Sequence, residues 1–306
     1  MRKMGESELR KKECNGDIQE RTGRYNGLIE KLIQWGNRDV RVYLALIIGS
    51  QARSDHPADE FSDLDVIIAV DDSRYFMESN EWLEAIGTYY ITFNERTVNG
   101  DDEKRVLFEE ALDVDFVILS RERLEYAVKN NELDILKRGY RVLIDKIGIG
   151  AEALPLADDK PVPVILSERD YTNIVNDFWY HAVWAKKKLL RGELWMAKSC
   201  IDNYMKGLLF KIVECHAHAI NGPDYDTWHG GRFFDEWAGD WIVERLSSCY
   251  SYYETGDAER ALSSTMDLFR DVAVETADRM EYRYPAEADS YAAGWVLQRN
   301  ERKASE

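Results

Sequence analysis

Residues 40–70 run VRVYLALIIGSQARSDHPADEFSDLDVIIAV. Up to Ile48 the stretch is apolar, rich in β-branched residues and nearly unbroken, which is the pattern of a strand buried on both faces. Gly49 and Ser50 break it. The polar segment that follows, with Pro57, is a loop, and Leu64–Val70 is a second buried strand. Two features between these strands carry chemistry. At Gly49-Ser50 a backbone without a Cβ can approach a phosphate closely, and free N–H groups and the Ser50 hydroxyl can bind its oxygens. Asp63 and Asp65 are spaced i, i+2, so on an extended backbone both side chains point to one face. Carboxylates held side by side repel unless a cation lies between them. Oxygen ligands of this kind suit Mg²⁺.

Working outward, a helix is expected over 17–36, with Ile18, Tyr25, Ile29, Leu32 and Ile33 on one face and Asp17 as its cap. Downstream, a short helix is expected at 80–87 and a strand at 88–93. Strands 104–110 and 114–120 form a hairpin about a turn at Ala111-Leu112-Asp113. Ser120 caps the helix after them, and a last strand covers 141–146. Asp115 opens the 114–120 strand between Val114 and Phe116. If that strand lies beside 64–70, Asp115 completes a three-acid cluster with Asp63 and Asp65. Three such acids can hold two Mg²⁺ ions that clamp the attacking and leaving oxygens of an in-line displacement. Asp115 could also accept the proton of the attacking hydroxyl.

Gly and Pro collect at 147–163, and beyond them the chain is helical. Helices are expected over 168–192, capped by Ser167 with Asp170, and over 194–219, 232–248, 257–283 and 287–299. The fold class is α+β: a mixed β-sheet domain over 17–150, followed by an α-helical bundle domain over 164–300.

The 306 residues suit about two domains. A 45% apolar and 12% aromatic composition excludes a disordered chain. A net charge of −17 argues against nucleic acid as a partner and favours a cationic small molecule. No apolar run is long enough for a membrane helix, and residues 1–17 lack the apolar core of a secretory signal. Cys14, Cys200, Cys215 and Cys249 form no metal-ligand spacing. Free thiols in the cytoplasm are expected, in a monomer or homodimer.

A strand ending in GS-x-A-R, then DLD on a strand, then an Asp on a later strand resembles the nucleotidyltransferase superfamily of the DNA-polymerase-β type. EFSDLDVIIAV, EWLEAIG, VDFVILS, VLIDK, NDFWYHAVWAKKKLLRGELWMAK and AVETADRMEYRYP narrow the likeness. These segments are similar, in order over residues 22–286, to the aminoglycoside 6-adenylyltransferases, which modify streptomycin. The resemblance implies a five-stranded nucleotidyltransferase sheet and a helical domain that shapes the acceptor site. It implies transfer of AMP from ATP to an antibiotic hydroxyl, with release of pyrophosphate. By position, Gly49, Ser50 and Arg53 would hold the triphosphate, Asp63 and Asp65 would hold Mg²⁺, and Asp115 would be a metal ligand or base. The chain departs from the family in one place: Gln51 follows Gly-Ser where family members carry Arg, and Arg53 could supply that charge. Other acceptors (a lincosamide or a protein hydroxyl), or binding without catalysis, are the alternatives.

For the acceptor, Asp177 and His181 share a face at i, i+4, and Glu60 lies in the loop ahead of Asp63. The aromatic-rich WHGGRFFDEW at 228–237 reads as an inter-helix loop with buried aromatics or, alternatively, as a Gly-rich loop that borders the acceptor cleft. Lys186, Lys187 and Lys188 fan around a helix and read as a solvated face.

Overall fold

The computed structural model describes residues 23–53, 57–130, 132–149, 154 and 165–303. The polar start, Cys14, Asp17, Ile18 and most of the 147–163 connection lie outside the described residues. The chain divides into two compact units, residues 1–161 and 162–306.

The first unit is built on a mixed sheet of β1 (Val42–Ile48), β2 (Leu64–Val70), β3 (Tyr89–Arg96), β4 (Asp102–Phe108), β5 (Leu112–Ser120) and β6 (Arg141–Asp145). Their order is β3-β4-β5-β2-β1-β6. β2 and β5 are parallel, and the other neighbours are antiparallel. There are six strands rather than the five that the resemblance implies, because Arg141–Asp145 pairs with the free edge of β1. The β4–β5 turn also differs from expectation. It falls at Glu109–Ala111, with Phe108 opposite Leu112, and Glu110 and Ala111 take left-handed φ of 62° and 54°.

Both faces of the central strands are covered, which explains their unbroken apolar character. Val66, Ile68, Val114 and Phe116 pack with Ile29 and Leu32 of the helix Asn26–Arg38 and with Phe76 and Trp82. On the other face Leu44, Leu46, Ile67 and Leu119 pack with Leu124, Ala127 and Leu136. Ser120 caps the helix Arg121–Lys129 by accepting from Arg123 N–H at 3.1 Å.

The second unit is helical. Ser167 accepts from Asp170 N–H at 3.2 Å and starts the helix Glu168–Leu190. The expected 194–219 helix is interrupted: Leu194–Ser199 passes through a widened π turn at Cys200–Tyr204 into Met205–Asn221. The expected 232–248 helix is two short pieces, Phe234–Trp237 and Asp240–Leu246, because Ala238 and Gly239 are extended. The helices Thr255–Met280 and Ala286–Lys303 complete the unit. Phe178 stacks on Phe269 in its core, and Trp237 is buried there too. Lys186 is a correction to the solvated-face reading: its side chain is fully buried and pairs with Glu259 at 2.8 Å. A buried ammonium needs such a partner.

Candidate active site

Alternation along β2 and β5 decides where the acids lie. Ile67 and Leu119 point to the face covered by Leu124 and Leu136. Asp65 and Asp115, two and four positions earlier on their strands, point to the same face. The parallel register sets Asp65 directly beside Asp115. Asp63, two residues before Asp65, completes the group. One carboxylate oxygen from each of Asp63, Asp65 and Asp115 lies within 4.8 Å of the others. The strand pairing that the sequence made a condition is therefore present.

The Gly49–Gln51 turn abuts this cluster. Gly49 has φ +70°, and a Cβ built on it would lie 2.0 Å from Asp65 Oδ2. Glycine is thus required twice, for the left-handed backbone and for the close approach of a carboxylate. The turn closes through Ala52 and Arg53 N–H donating to Gly49 O, both at 3.1 Å. Gln51 fixes it to the next strand by donating from Nε2 to Asp63 O at 3.2 Å. That contact gives Gln51 a role in holding the turn. The Ser50 hydroxyl and Gln51 Oε1 are buried with no hydrogen-bond partner among the described residues. Arg53 is buried as well, its backbone packed closely against Gly139.

Asp115 is the most enclosed of the three acids, at 7% exposed. Burial pushes its carboxyl up to about 6; Asp63, Asp113 and Glu95 add to the rise and Arg105 opposes it. Arg105 Nη2 is 3.3 Å from Asp115 Oδ2. Glu103, also buried, is raised by desolvation and by the charge of Asp115. On the flank, Tyr25 Oη donates toward Ser62 O at 3.1 Å and Asp113 Oδ1 at 3.2 Å, which ties the start of β2 to the start of β5.

The donor set fits a divalent cation: three oxygen acids converge, two of them from adjacent parallel strands. The buried, unpartnered Ser50 hydroxyl beside Gly49 fits a phosphate acceptor, because a buried hydroxyl without a partner is costly. Glu60 is not one of the converging acids. It is exposed, and its backbone carbonyl accepts from Arg24.

In the helical unit, Asp177 and His181 meet as their spacing predicts, with His181 Nδ1 2.7 Å from Asp177 Oδ1. Tyr204, from the π turn, donates to Asp177 Oδ2 at 2.9 Å and lies 4.3 Å from the His181 ring. The sequence reading missed Tyr204, Arg105, Glu95 and Glu103. Arg105 lies on an expected strand, so the right hairpin register would have found it; Glu95 and Glu103 lie just beyond the expected 88–93 and 104–110 strands.

The sequence model of the streptomycin adenylyltransferase family matches residues 24–298. The chain is similar to an aminoglycoside 6-adenylyltransferase of Bacillus subtilis (strain 168), 21% identical over 266 residues, covering 84% of this chain and 92% of the relative. A second, from Campylobacter jejuni, is 21% identical over 282 residues, 89% of this chain and 94% of the relative. Among solved structures, an aminoglycoside 6-adenyltransferase from Bacillus subtilis gives a TM-score of 0.44 at 19% identity, covering 89% of this chain and 96% of that one. With a family match that spans both units, the chain belongs to the streptomycin adenylyltransferase family of nucleotidyltransferases.

Proposed function

We propose that this protein transfers the AMP group of ATP to a hydroxyl of a streptomycin-like aminoglycoside, in an Mg²⁺-dependent reaction that releases pyrophosphate. The observation that carries the reading is the convergence of Asp63, Asp65 and Asp115 beside the Gly49-Ser50 turn. The residues 17–150 would be the catalytic domain and 164–300 the acceptor-binding domain.

In the reaction, the acceptor oxygen bonds to the α-phosphorus of ATP, and the bond from that phosphorus to the bridging oxygen breaks. The hydroxyl proton passes to a base, and pyrophosphate leaves. Ser50, with its free hydroxyl, and Arg53 would bind the triphosphate oxygens, and Gly49 would let the backbone come close to them. Asp63 and Asp65 would hold Mg²⁺, with Asp115 as a third ligand or as the base. When bound, Mg²⁺ supplies neutralisation of charge on the reacting phosphate oxygens. A carboxyl raised toward 6 by burial is well placed to take a proton near neutrality. Catalysis then rests on positioning and preorganised charge.

The acidic chain suits a cationic acceptor. Asp177 and His181 would contact it, with Tyr204 donating to Asp177, and the exposed Glu60 would attract it at longer range. Cys200, Cys215 and Cys249 are free thiols, which supports a cytoplasmic site of action. No helix among the described residues is long and apolar enough to cross a membrane.

The test is pyrophosphate release from ATP and Mg²⁺ with and without streptomycin. Streptomycin-dependent release is the expected result. No release with streptomycin, but release with a lincosamide or a protein acceptor, would move the acceptor assignment and leave the reaction class. No release with any acceptor would sink the enzymatic reading.

A further inference from the structure

Arg105 occupies a distinctive place on the sheet. It stands directly opposite Asp115 across β4–β5 and opposite Phe93 across β3–β4. Three carboxylates surround its guanidinium. Its Nε is 2.5 Å from Glu95 Oε1 and 3.9 Å from Glu103 Oε2, and its Nη2 is 3.3 Å from Asp115 Oδ2. Glu95 and Glu103 face each other directly across the β3–β4 pair. Like charges in that position destabilise a sheet unless a cation lies with them.

The distances rank the contacts. The shortest is to Glu95, Asp115 is next and Glu103 is farthest. Structural arginines elsewhere in the chain grip differently: Arg270 reaches both oxygens of Asp289 at 2.7 Å, and Arg123 reaches both oxygens of Asp101 at 2.6 and 3.1 Å. Arg105 is thus anchored on Glu95 and touches Asp115 with one loose contact. Its side chain is 44% exposed where that of Asp115 is 10% exposed, so it reaches the acid from the open side. It can withdraw from Asp115 without disturbing the core.

We infer that Arg105 is a placeholder cation for the carboxylate cluster, a positioning residue that holds Asp115 and competes with divalent metal for it. The inference rests on reading Asp63, Asp65 and Asp115 as the metal site. With no metal bound, the guanidinium offsets repulsion among the three acids. A divalent cation at Asp115 meets the fixed positive charge of Arg105. The arginine then yields toward Glu95, which already holds it, and the net effect is weaker metal binding than the acids alone would give.

The experiment measures Mn²⁺ binding to the full chain, without nucleotide, from the loss of the free-ion paramagnetic resonance signal. Wild type, Arg105→Gln, Arg105→Lys and Glu95→Gln are compared. Removing the competing charge in Arg105→Gln should tighten Mn²⁺ binding about tenfold, and Arg105→Lys should stay near wild type. Glu95→Gln, which releases the arginine to grip Asp115, should weaken binding. A merely structural arginine predicts the opposite sign, since Asp115 would lose its support in Arg105→Gln. Unchanged or weaker Mn²⁺ binding in a folded Arg105→Gln protein overturns the inference. If that variant does not fold, unchanged affinity in Glu95→Gln overturns it instead. Absence of Mn²⁺ binding in wild type and in all the variants would overturn the metal reading itself, which is a distinguishable failure.

Discussion

Asp115 and Asp177 are both partly enclosed acids in polar clusters, and their surroundings are built in opposite ways. Asp177 has each oxygen matched to a donor group, His181 on one side and Tyr204 on the other. Asp115 faces Asp63 and Asp65, acceptors like itself, and an arginine that touches it at 3.3 Å. A cluster of matched donors and acceptors is complete as folded. A cluster of acceptors calls for a cation from solution. The difference assigns the larger functional consequences to the sheet cluster and the smaller to the helical one.

The sharpest way to break that contrast is to remove one acid from each region. Asp63→Asn and Asp65→Asn should each lower kcat by about 10³-fold or more, because charge neutralisation at the reacting phosphate is the main catalytic contribution. The Asp63→Asn protein should melt at or above the wild-type temperature, since a repulsive neighbour has gone. Turnover within tenfold of wild type in either variant would remove the metal assignment.

The pH dependence of stability gives the next largest effect. The Asp115 carboxyl is raised from 3.8 to about 6 by burial. Between those values the folded protein holds a proton that the unfolded chain has released. The contribution of Asp115 to stability therefore falls as pH rises from about 4 to about 6 and is flat above, by at most about 3 kcal/mol in metal-free buffer. Asp115→Asn should remove this contribution and leave the slope carried by the raised carboxyls of Glu103 and Glu214. Thermal melts of both proteins across that range in a chelating buffer decide it, and an equal slope in the variant would show that other groups carry the effect.

Gly49 tests whether the two halves of the sheet cluster are mechanically joined. Gly49→Ala places a Cβ 2.0 Å from Asp65 Oδ2 at a φ of +70°. The backbone strain alone should destabilise the protein by about 1–3 kcal/mol. The carboxylate must also shift, so Mn²⁺ binding should weaken along with stability. A variant that loses stability but keeps wild-type Mn²⁺ affinity would uncouple the turn from the acids.

The sheet cluster was legible because buried strands advertise themselves. Leu64–Val70 has the bounds its apolar run indicated, and period-two alternation put Asp63 and Asp65 on one face before any pairing was known. Asp115 needed a guess about neighbouring strands, which the parallel β2–β5 register bears out. Arg105 was hidden by the turn. A turn at Ala111-Leu112-Asp113 pairs Asp115 with Glu109, whereas the observed turn pairs it with Arg105. Glu110 and Ala111 give little warning, since neither is a usual left-handed residue. In the helical unit, the i, i+4 spacing signalled Asp177 with His181. Tyr204 arrives through a π turn inside an apparently continuous helical pattern, and periodicity carries no mark of such an insertion. Lys186 shows the same limit, because a lysine run looks solvated until a partner such as Glu259 is placed over one member.

The smallest expected effect lies at Asp177. Asp177→Asn keeps the shape and one acceptor oxygen, so most of the contact to Tyr204 or to His181 can survive. The group is about a quarter exposed, which limits the loss of stability to about 1 kcal/mol or less. If the helical unit binds the cationic acceptor, loss of this charge should raise the acceptor KM about tenfold while the ATP KM and kcat stay near wild type. A purely structural cluster gives another pattern: a lower melting temperature with both KM values unchanged. Steady-state kinetics with each substrate varied in turn separates the two. Adding Tyr204→Phe, which removes only the donor to Asp177, sharpens the result. If the carboxylate serves the acceptor, freeing it from Tyr204 should leave the acceptor KM unchanged or lower it. If the hydrogen-bonded set is the feature that matters, Tyr204→Phe should instead raise KM as Asp177→Asn does.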